Sequence, residues 1–237
     1  MTDTIELSGL CKSFRVEGRE LTVLKDLDLT VPANEITVLL GRSGCGKTTL
    51  LRLIGGLDRD YTGTISRPGN ARTAFVFQEA RLMPWLTVAQ NIAFGLKKKE
   101  LDPEKIRRLI HITGLDGFGD ALPRQLSGGM QQRTALARAL ALEPGFILMD
   151  EPFAALDHFT REKMQQVLLS LHETDRCGVL FVTHSIDEAL TIADRIVILD
   201  DHRVKGVYPI GSAWRASCSE EQRCALRAEI LSSIEKT

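Results

Sequence analysis

Ile36-Thr37-Val38-Leu39-Leu40-Gly41-Arg42-Ser43-Gly44-Cys45-Gly46-Lys47-Thr48 is the stretch that decides the fold. Four apolar residues and a β-branched threonine read as a short strand with no polar alternation, the pattern of a strand buried on both faces. The next eight residues fit G-x-x-x-x-G-K-[ST]. Glycines there let successive backbone N–H groups turn inward as a nest for an anion. Residues 47–55 read as a helix that presents its positive N-terminal end to the same anion. Lys47 adds a point charge for the β- and γ-phosphates of a nucleotide, and the Thr48 hydroxyl is a hard oxygen ligand for Mg²⁺. A chance match lacks this context; here a strand precedes the glycines and a helix follows, as the chemistry requires.

Working outward, three more apolar runs read as buried strands: residues 146–149, 179–183 and 196–199. Helical patterns lie between them, the alternation of a parallel sheet covered by helices. Helix ends are marked by Asp102 before Pro103, by Gly114, and by the pairs Ser185/Glu188 and Ser219/Gln222. Leu226, Ile230 and Ile234 share one face of a last helix. Residues 79–143 carry helical patterns and no buried strand, and are expected to form a helical insertion. The first thirty residues alternate apolar and polar, which suits antiparallel strands at an edge. Lys97-Lys98-Lys99 is read as a solvated helix end.

Composition bounds the function. The chain has 237 residues, 30 Lys+Arg against 31 Asp+Glu and 43% hydrophobic residues, so it can bury a core and has no basic excess for nucleic acid. No apolar run approaches a membrane span. The N-terminus shows no basic-then-apolar signal pattern, so a cytoplasmic location is expected, with any membrane role exercised through a partner. Five cysteines with no Cys-x-x-Cys pair do not suggest a disulfide framework or a zinc site. Cys45, inside the nest beside a helix N-terminus, is expected to favour its thiolate. His111, His158, His172 and His202 match no motif and are read as surface residues.

Two further segments carry chemistry. The strand at 146–149 ends in Asp150-Glu151. Adjacent carboxylates at the end of an apolar strand need a cation or hydrogen-bond donors to offset them, and a Mg²⁺–nucleotide supplies the cation. Asp150 would hold the metal, and Glu151 would polarise the attacking water. Leu126-Ser127-Gly128-Gly129-Met130 opens a helix with bare N–H groups and a hydroxyl, a second anion site. One subunit does not need both loops for one nucleotide. Two copies arranged head to tail would use all four and sandwich two nucleotides.

On these residues the sequence resembles the nucleotide-binding subunits of ATP-binding-cassette (ABC) transporters. Residues 126–130 match the family's signature, Gln78 its glutamine loop, residues 154–157 ending in Asp157 its D-loop, and His184 its switch histidine. Phe14 stands where the family stacks an aromatic ring on adenine. The resemblance covers about residues 3–200 and implies an α/β P-loop NTPase fold: a parallel core sheet, an antiparallel β edge subdomain and an α-helical insertion. It implies one ATPase domain, with residues 1–79 and 144–237 as the nucleotide-binding core and 80–143 as the helical signature subdomain.

It further implies ATP contacts from Phe14, Gly41, Arg42, Ser43, Gly44, Cys45, Gly46, Lys47, Thr48 and Thr49. Mg²⁺ would be held by Thr48, Gln78 and Asp150. Catalysis falls to Glu151, His184 and Gln78, and contacts across the dimer to Ser127, Gly128, Gly129 and Asp157. Residues 79–96, with Pro84-Trp85 their most specific element, look like the importers of nitrate, sulfonates and taurine. That implies a permease, a separate solute-binding protein and a peripheral place on the inner face of the cell membrane. The chain stops at Thr237, short of the regulatory extension some importers carry, and residues 66–73 are shorter than the usual connection. An exporter ATPase and an ATPase of iron–sulfur cluster assembly share the motifs. A DNA-repair ATPase would need a coiled coil between Lys47 and Ser127, where no heptads occur.

Overall fold

The computed structural model describes residues 4–69, 72–175 and 177–235. The chain divides into two compact units, one of residues 1–70 with 176–237 and one of residues 71–175.

In the first unit, β1 (Thr4–Val16) and β2 (Arg19–Pro32) pair antiparallel from Thr4↔Pro32 to Val16↔Arg19. Their two-residue turn has Glu17 and Gly18 both at positive φ, the conformation whose twist matches the flanking strands. A later strand, Thr62–Ser66, pairs with the other edge of β1. With β3 (Ile36–Leu40) and the second unit's strands counted in chain order, it is β4. Every residue of β3 is buried. It lies between β7 (Gly178–Val182) and β8 (Arg195–Asp200), parallel to both, and β9 (Arg203–Pro209) adds antiparallel to β8. That edge strand alternates exposed and half-buried residues and carries Arg203 and Lys205, charges that discourage edge-to-edge pairing. Helices α1 (Lys47–Ile54), α6 (Ile186–Ile192), α7 (Gly211–Ser217) and α8 (Glu220–Glu235) complete the unit.

In the second unit, β5 (Thr73–Val76) pairs parallel with β6 (Phe146–Asp150). Between them run α2 (Val88–Ala93), α3 (Pro103–Ile112) and α4 (Gly128–Ala141); α5 (His158–Asp175) follows β6. Helices α2, α3 and α4 pack on one another, and α4 also packs on β5. Among the described residues no strand interrupts 79–143.

The caps fall where the sequence marks them. Asp102 accepts from Glu104 N–H, Ser185 from Glu188 N–H, and Ser219 and Gln222 close a reciprocal box. Gly114, at φ 64, follows the end of α3. Several expectations need correction. Thr183 lies just beyond β7, which ends at Val182. The three lysines do not end a helix; Lys97 precedes a separate 3₁₀ turn, Lys98–Glu100. His172 is buried, on the inner face of α5. Strands β4 and β9 were not foreseen: Thr62–Ser66 has one half-buried residue, and β9 is an edge strand, so neither shows an apolar run. Of the short 66–73 connection, Asn70 and Ala71 lie outside the described residues.

Candidate functional site

The phosphate loop leaves the carboxyl end of β3. Gly41 is fixed by space: a Cβ there would collide with the Leu199 carbonyl oxygen and come within 2.8 Å of Cys45 Sγ. Gly46, at φ 104, N-caps α1 without a side-chain bond, and no acidic residue stands in the first turn. The end of the helix therefore keeps its positive character for an anion. Gly44, at φ 83, has nothing within 4 Å of where a Cβ would stand, so the loop's crest is open. Arg42 and Ser43 are exposed beside it. The buried Lys47 ammonium curls back over the loop and donates to the carbonyls of Gly41 (2.8 Å) and Arg42 (2.9 Å). It is held where an incoming phosphate could exchange with those carbonyls. The open crest, the uncapped helix end and the lysine fit a polyphosphate.

Cys45 overturns its expectation. Its Sγ lies 3.8 Å from Lys47 Nζ, which favours the thiolate, but Cys45 is 8% exposed and burial pushes the thiol up above its ordinary value. Desolvation outweighs the neighbouring cation.

Two other predicted groups belong to this unit. His184 follows β7, the parallel neighbour of β3, so it leaves the same end of the sheet as the phosphate loop. Thr183 N–H donates to the Leu39 carbonyl there. Phe14, on β1, is 39% exposed rather than in the core. The β1–β2 register slips between Lys12↔Leu24 and Ser13↔Thr22, leaving Val23 bulged. The Val23 carbonyl would lie 2.9 Å from a Cβ on Gly46, so the hairpin carrying Phe14 abuts the phosphate loop. His202 Nδ1 lies 3.1 Å from that same carbonyl.

The remaining predicted groups lie in the second unit. Gln78 follows β5; Asp150 ends its parallel partner β6, and Glu151 follows it. Asp150 is buried. Glu151 has φ 44, a left-handed conformation that costs an unbranched residue roughly 1–2 kcal/mol and turns its side chain off the strand direction. Ser127 N-caps α4, its Oγ accepting from Met130 N–H at 3.2 Å, with Gly128 and Gly129 in the first turn. A Cβ on Gly129 would come within 3.2 Å of Leu156 in the D-loop segment. Asp157 accepts from Thr160 Oγ1 (2.7 Å) and Thr160 N–H (3.0 Å); these bonds hold its carboxyl below the ordinary value.

Sequence reasoning missed the side chains that hold this machinery. Gln132 donates to the Phe77 carbonyl at 2.8 Å, beside Gln78. Arg138 donates to the Ala80 and Arg81 carbonyls, both at 2.9 Å. Arg81, at φ 45, lays its guanidinium over the Phe77 ring, 4.2 Å from its centroid. Asn91, fully buried, accepts from Met83 N–H at 2.8 Å, and its amide donates toward the Met83, Leu86 and Thr87 carbonyls. The segment after Gln78 is thus fastened to α4 and α2, while Trp85 stands 71% exposed. The one available signal was a polar residue on the apolar face of each helix, which periodicity alone reads as an imperfection.

A buried strand running into an uncapped glycine loop with a lysine folded over it defines a P-loop nucleotide-binding protein. The chain belongs to the ABC transporter family, whose model matches residues 24–154, and it is an ATPase of that family. It is 44% identical to the aliphatic sulfonates import ATP-binding protein SsuB of Bacillus subtilis, over 95% of this chain and 92% of that protein. It is likewise 44% identical to SsuB 1 of Pseudomonas syringae pv. syringae, over 91% of each. Among solved structures it is similar to the dimeric ATP-binding cassette MJ0796 in a post-hydrolysis state bound to ADP and Pi. That match has TM-score 0.79 and 32% identity, and covers 86% of this chain and 98% of the other.

Proposed function

We propose that this chain is the ATP-hydrolysing subunit of an importer for a small sulfonate, held at the inner face of the cell membrane by permease subunits that receive solute from a separate binding protein. The observation that carries the reading is the pairing, in one chain, of an open phosphate loop at Gly41–Thr48 with a serine-capped Ser127-Gly128-Gly129 helix end. Relatives named as sulfonate import subunits support the importer over an exporter or a cluster-assembly ATPase. Residues 1–79 and 144–237 act as the nucleotide-binding core and 80–143 as the helical subdomain.

Two copies bind ATP through residues 41–49, with Phe14 against adenine. Each γ-phosphate is then contacted by Ser127 and Gly129 of the other copy, so ATP draws the two together head to tail; Gly128 and Asp157 line the same junction. The described residues contain no group of three or more His, Cys, Asp or Glu able to hold a metal. Mg²⁺ is instead suited to a few protein oxygens plus phosphates, and Thr48, Gln78 and Asp150 supply such donors. Held by those residues, Mg²⁺ would supply positive charge to offset the negative charge of the phosphates. Glu151 takes the proton of the attacking water, and His184 contacts the γ-phosphate as it leaves ADP. Hydrolysis removes the shared contacts and reopens the pair, and the fastened segment 78–87 carries that movement to the permease.

The test is one reconstitution with two arms. The subunit, co-expressed with its permease and supplied with a sulfonate-loaded receptor, should hydrolyse ATP faster than with an empty receptor. Glu151→Gln in the same complex should bind MgATP, accumulate the closed pair and lose at least about a hundredfold in turnover, the scale of a general base. Wild-type turnover by the variant would remove Glu151 from the role, and stimulation by no sulfonate would remove the solute class.

A further inference from the structure

Among the described residues, Lys12 is the most buried lysine of the first unit, at 3% exposure. It precedes Phe14 by two positions on β1, so both side chains lie on one face of the strand. Its ammonium lies over the Phe14 ring, 4.7 Å from the centroid. Three acceptors hold it there: Asp58 Oδ2 at 3.0 Å, Asp60 Oδ2 at 3.2 Å and the Asp60 carbonyl at 2.5 Å. Asp60 N–H in turn donates to Asp58 Oδ1 at 2.9 Å, which closes the acidic turn on itself. That turn follows α1, the helix the phosphate loop opens.

These contacts have two consequences. One face of the Phe14 ring is occupied by a cation, so the ring's exposed area lies on its other face and edge. A cation on one face also draws π-density toward itself, which leaves the opposite face less repulsive to an electron-rich ring. The ring is moreover set at a fixed place relative to the phosphates. One route runs through Lys12, the acidic turn and α1; a second runs through the Val23 bulge against Gly46.

We propose that Lys12 is a positioning and specificity residue for the nucleotide base: anchored by Asp58 and Asp60, it backs the Phe14 ring and presents the ring's free face for adenine to stack on. The inference rests on the reading that Phe14 meets adenine. Lys12 itself touches no part of the nucleotide. Its effect should therefore appear in the affinity for a base-bearing triphosphate and not in the chemistry or the phosphate contacts.

The experiment compares binding of ATP and of inorganic tripolyphosphate to the full chain and to Lys12→Met, Lys12→Arg, Phe14→Ala and the double variant Lys12→Met/Phe14→Ala. Lys12→Met should weaken ATP binding about fivefold to tenfold, part of what a well-positioned base–aromatic stack contributes, and leave tripolyphosphate binding unchanged. Lys12→Arg should keep most of the ATP affinity. In the Phe14→Ala background, Lys12→Met should add no further loss. Equal weakening of both ligands would make Lys12 a brace of the acidic turn alone and overturn the proposal, as would additive losses in the double variant. If Phe14→Ala leaves ATP binding intact, the failure lies in the adenine reading itself; if Phe14→Ala weakens ATP and Lys12→Met does not, it lies here. Should Lys12→Met lack a cooperative thermal transition, Asp58→Asn decides: it keeps the lysine and removes one anchor. An ATP-selective loss then supports the proposal, and an equal or absent loss overturns it.

Discussion

Trp85→Ala separates two roles for the segment after Gln78. Trp85 is 71% exposed, so less than a third of its side chain is covered within the subunit. A tryptophan offers on the order of 250 Å², and at about 25 cal/mol per Å² the covered part corresponds to at most ~1–2 kcal/mol. A core tryptophan would instead cost roughly 3–5 kcal/mol. With roughly 2–4 °C lost per kcal/mol in a chain of this size, the isolated variant should melt only a few degrees lower and keep its basal ATPase. The uncovered part, about 180 Å², corresponds to an upper bound of ~4 kcal/mol if a partner buries it. An anchor of that kind commonly delivers at least about 2 kcal/mol, some thirtyfold in affinity. The assay is a pair: thermal denaturation and ATPase of the subunit, and retention of the permease in a pull-down. A Tm drop beyond about 10 °C would show that Trp85 is structural. Full retention with full transport would remove the segment from the permease contact.

Cys45, its thiol pushed up by burial, should alkylate slowly at neutral pH, after the exposed Cys224, and faster as pH rises; mass-spectrometric mapping that found Cys45 labelled first at pH 7 would contradict this. The Arg72 guanidinium, 2.6 Å from Glu100, and the Lys97 N–H hold the Glu100 carboxyl down from 4.5 to about 2. Because the folded value is depressed, the pair's contribution to stability is fully present above pH 4.5 and is lost as pH falls through about 2. Arg72→Met should return the Glu100 titration, followed by carboxyl NMR, toward 4.5, and an unmoved titration would show that the arginine is not the cause.

What was legible in the sequence is what periodicity and motif spacing encode. Strand β3 and the glycines after it were readable because each needs a particular residue type: Gly41 has no room for a Cβ, and Gly46 sits at φ 104. The helical insertion was readable from its period. The thiol of Cys45 was misjudged because electrostatics near a helix end can be read from sequence, whereas depth of burial cannot. Lys12, Asn91, Gln132 and Arg138 stayed hidden for a related reason. Each is an ordinary polar residue whose meaning lies in a partner chosen by tertiary packing, such as the Phe77 carbonyl for Gln132. The left-handed Glu151 was equally invisible, since nothing in Asp-Glu-Pro demands that φ.

The buried Asn91 amide has a thermodynamic consequence for docking. It ties down the Met83, Leu86 and Thr87 backbone from inside, so the loop that carries Trp85 is already ordered before any partner arrives. Association there forfeits little chain entropy, in contrast to a segment that must fold as it binds. The heat-capacity change on docking should then match the apolar area covered and no more. Exchange of the permease should be governed by how quickly the tryptophan leaves its seat, with the rate of encounter nearly constant among variants of the loop.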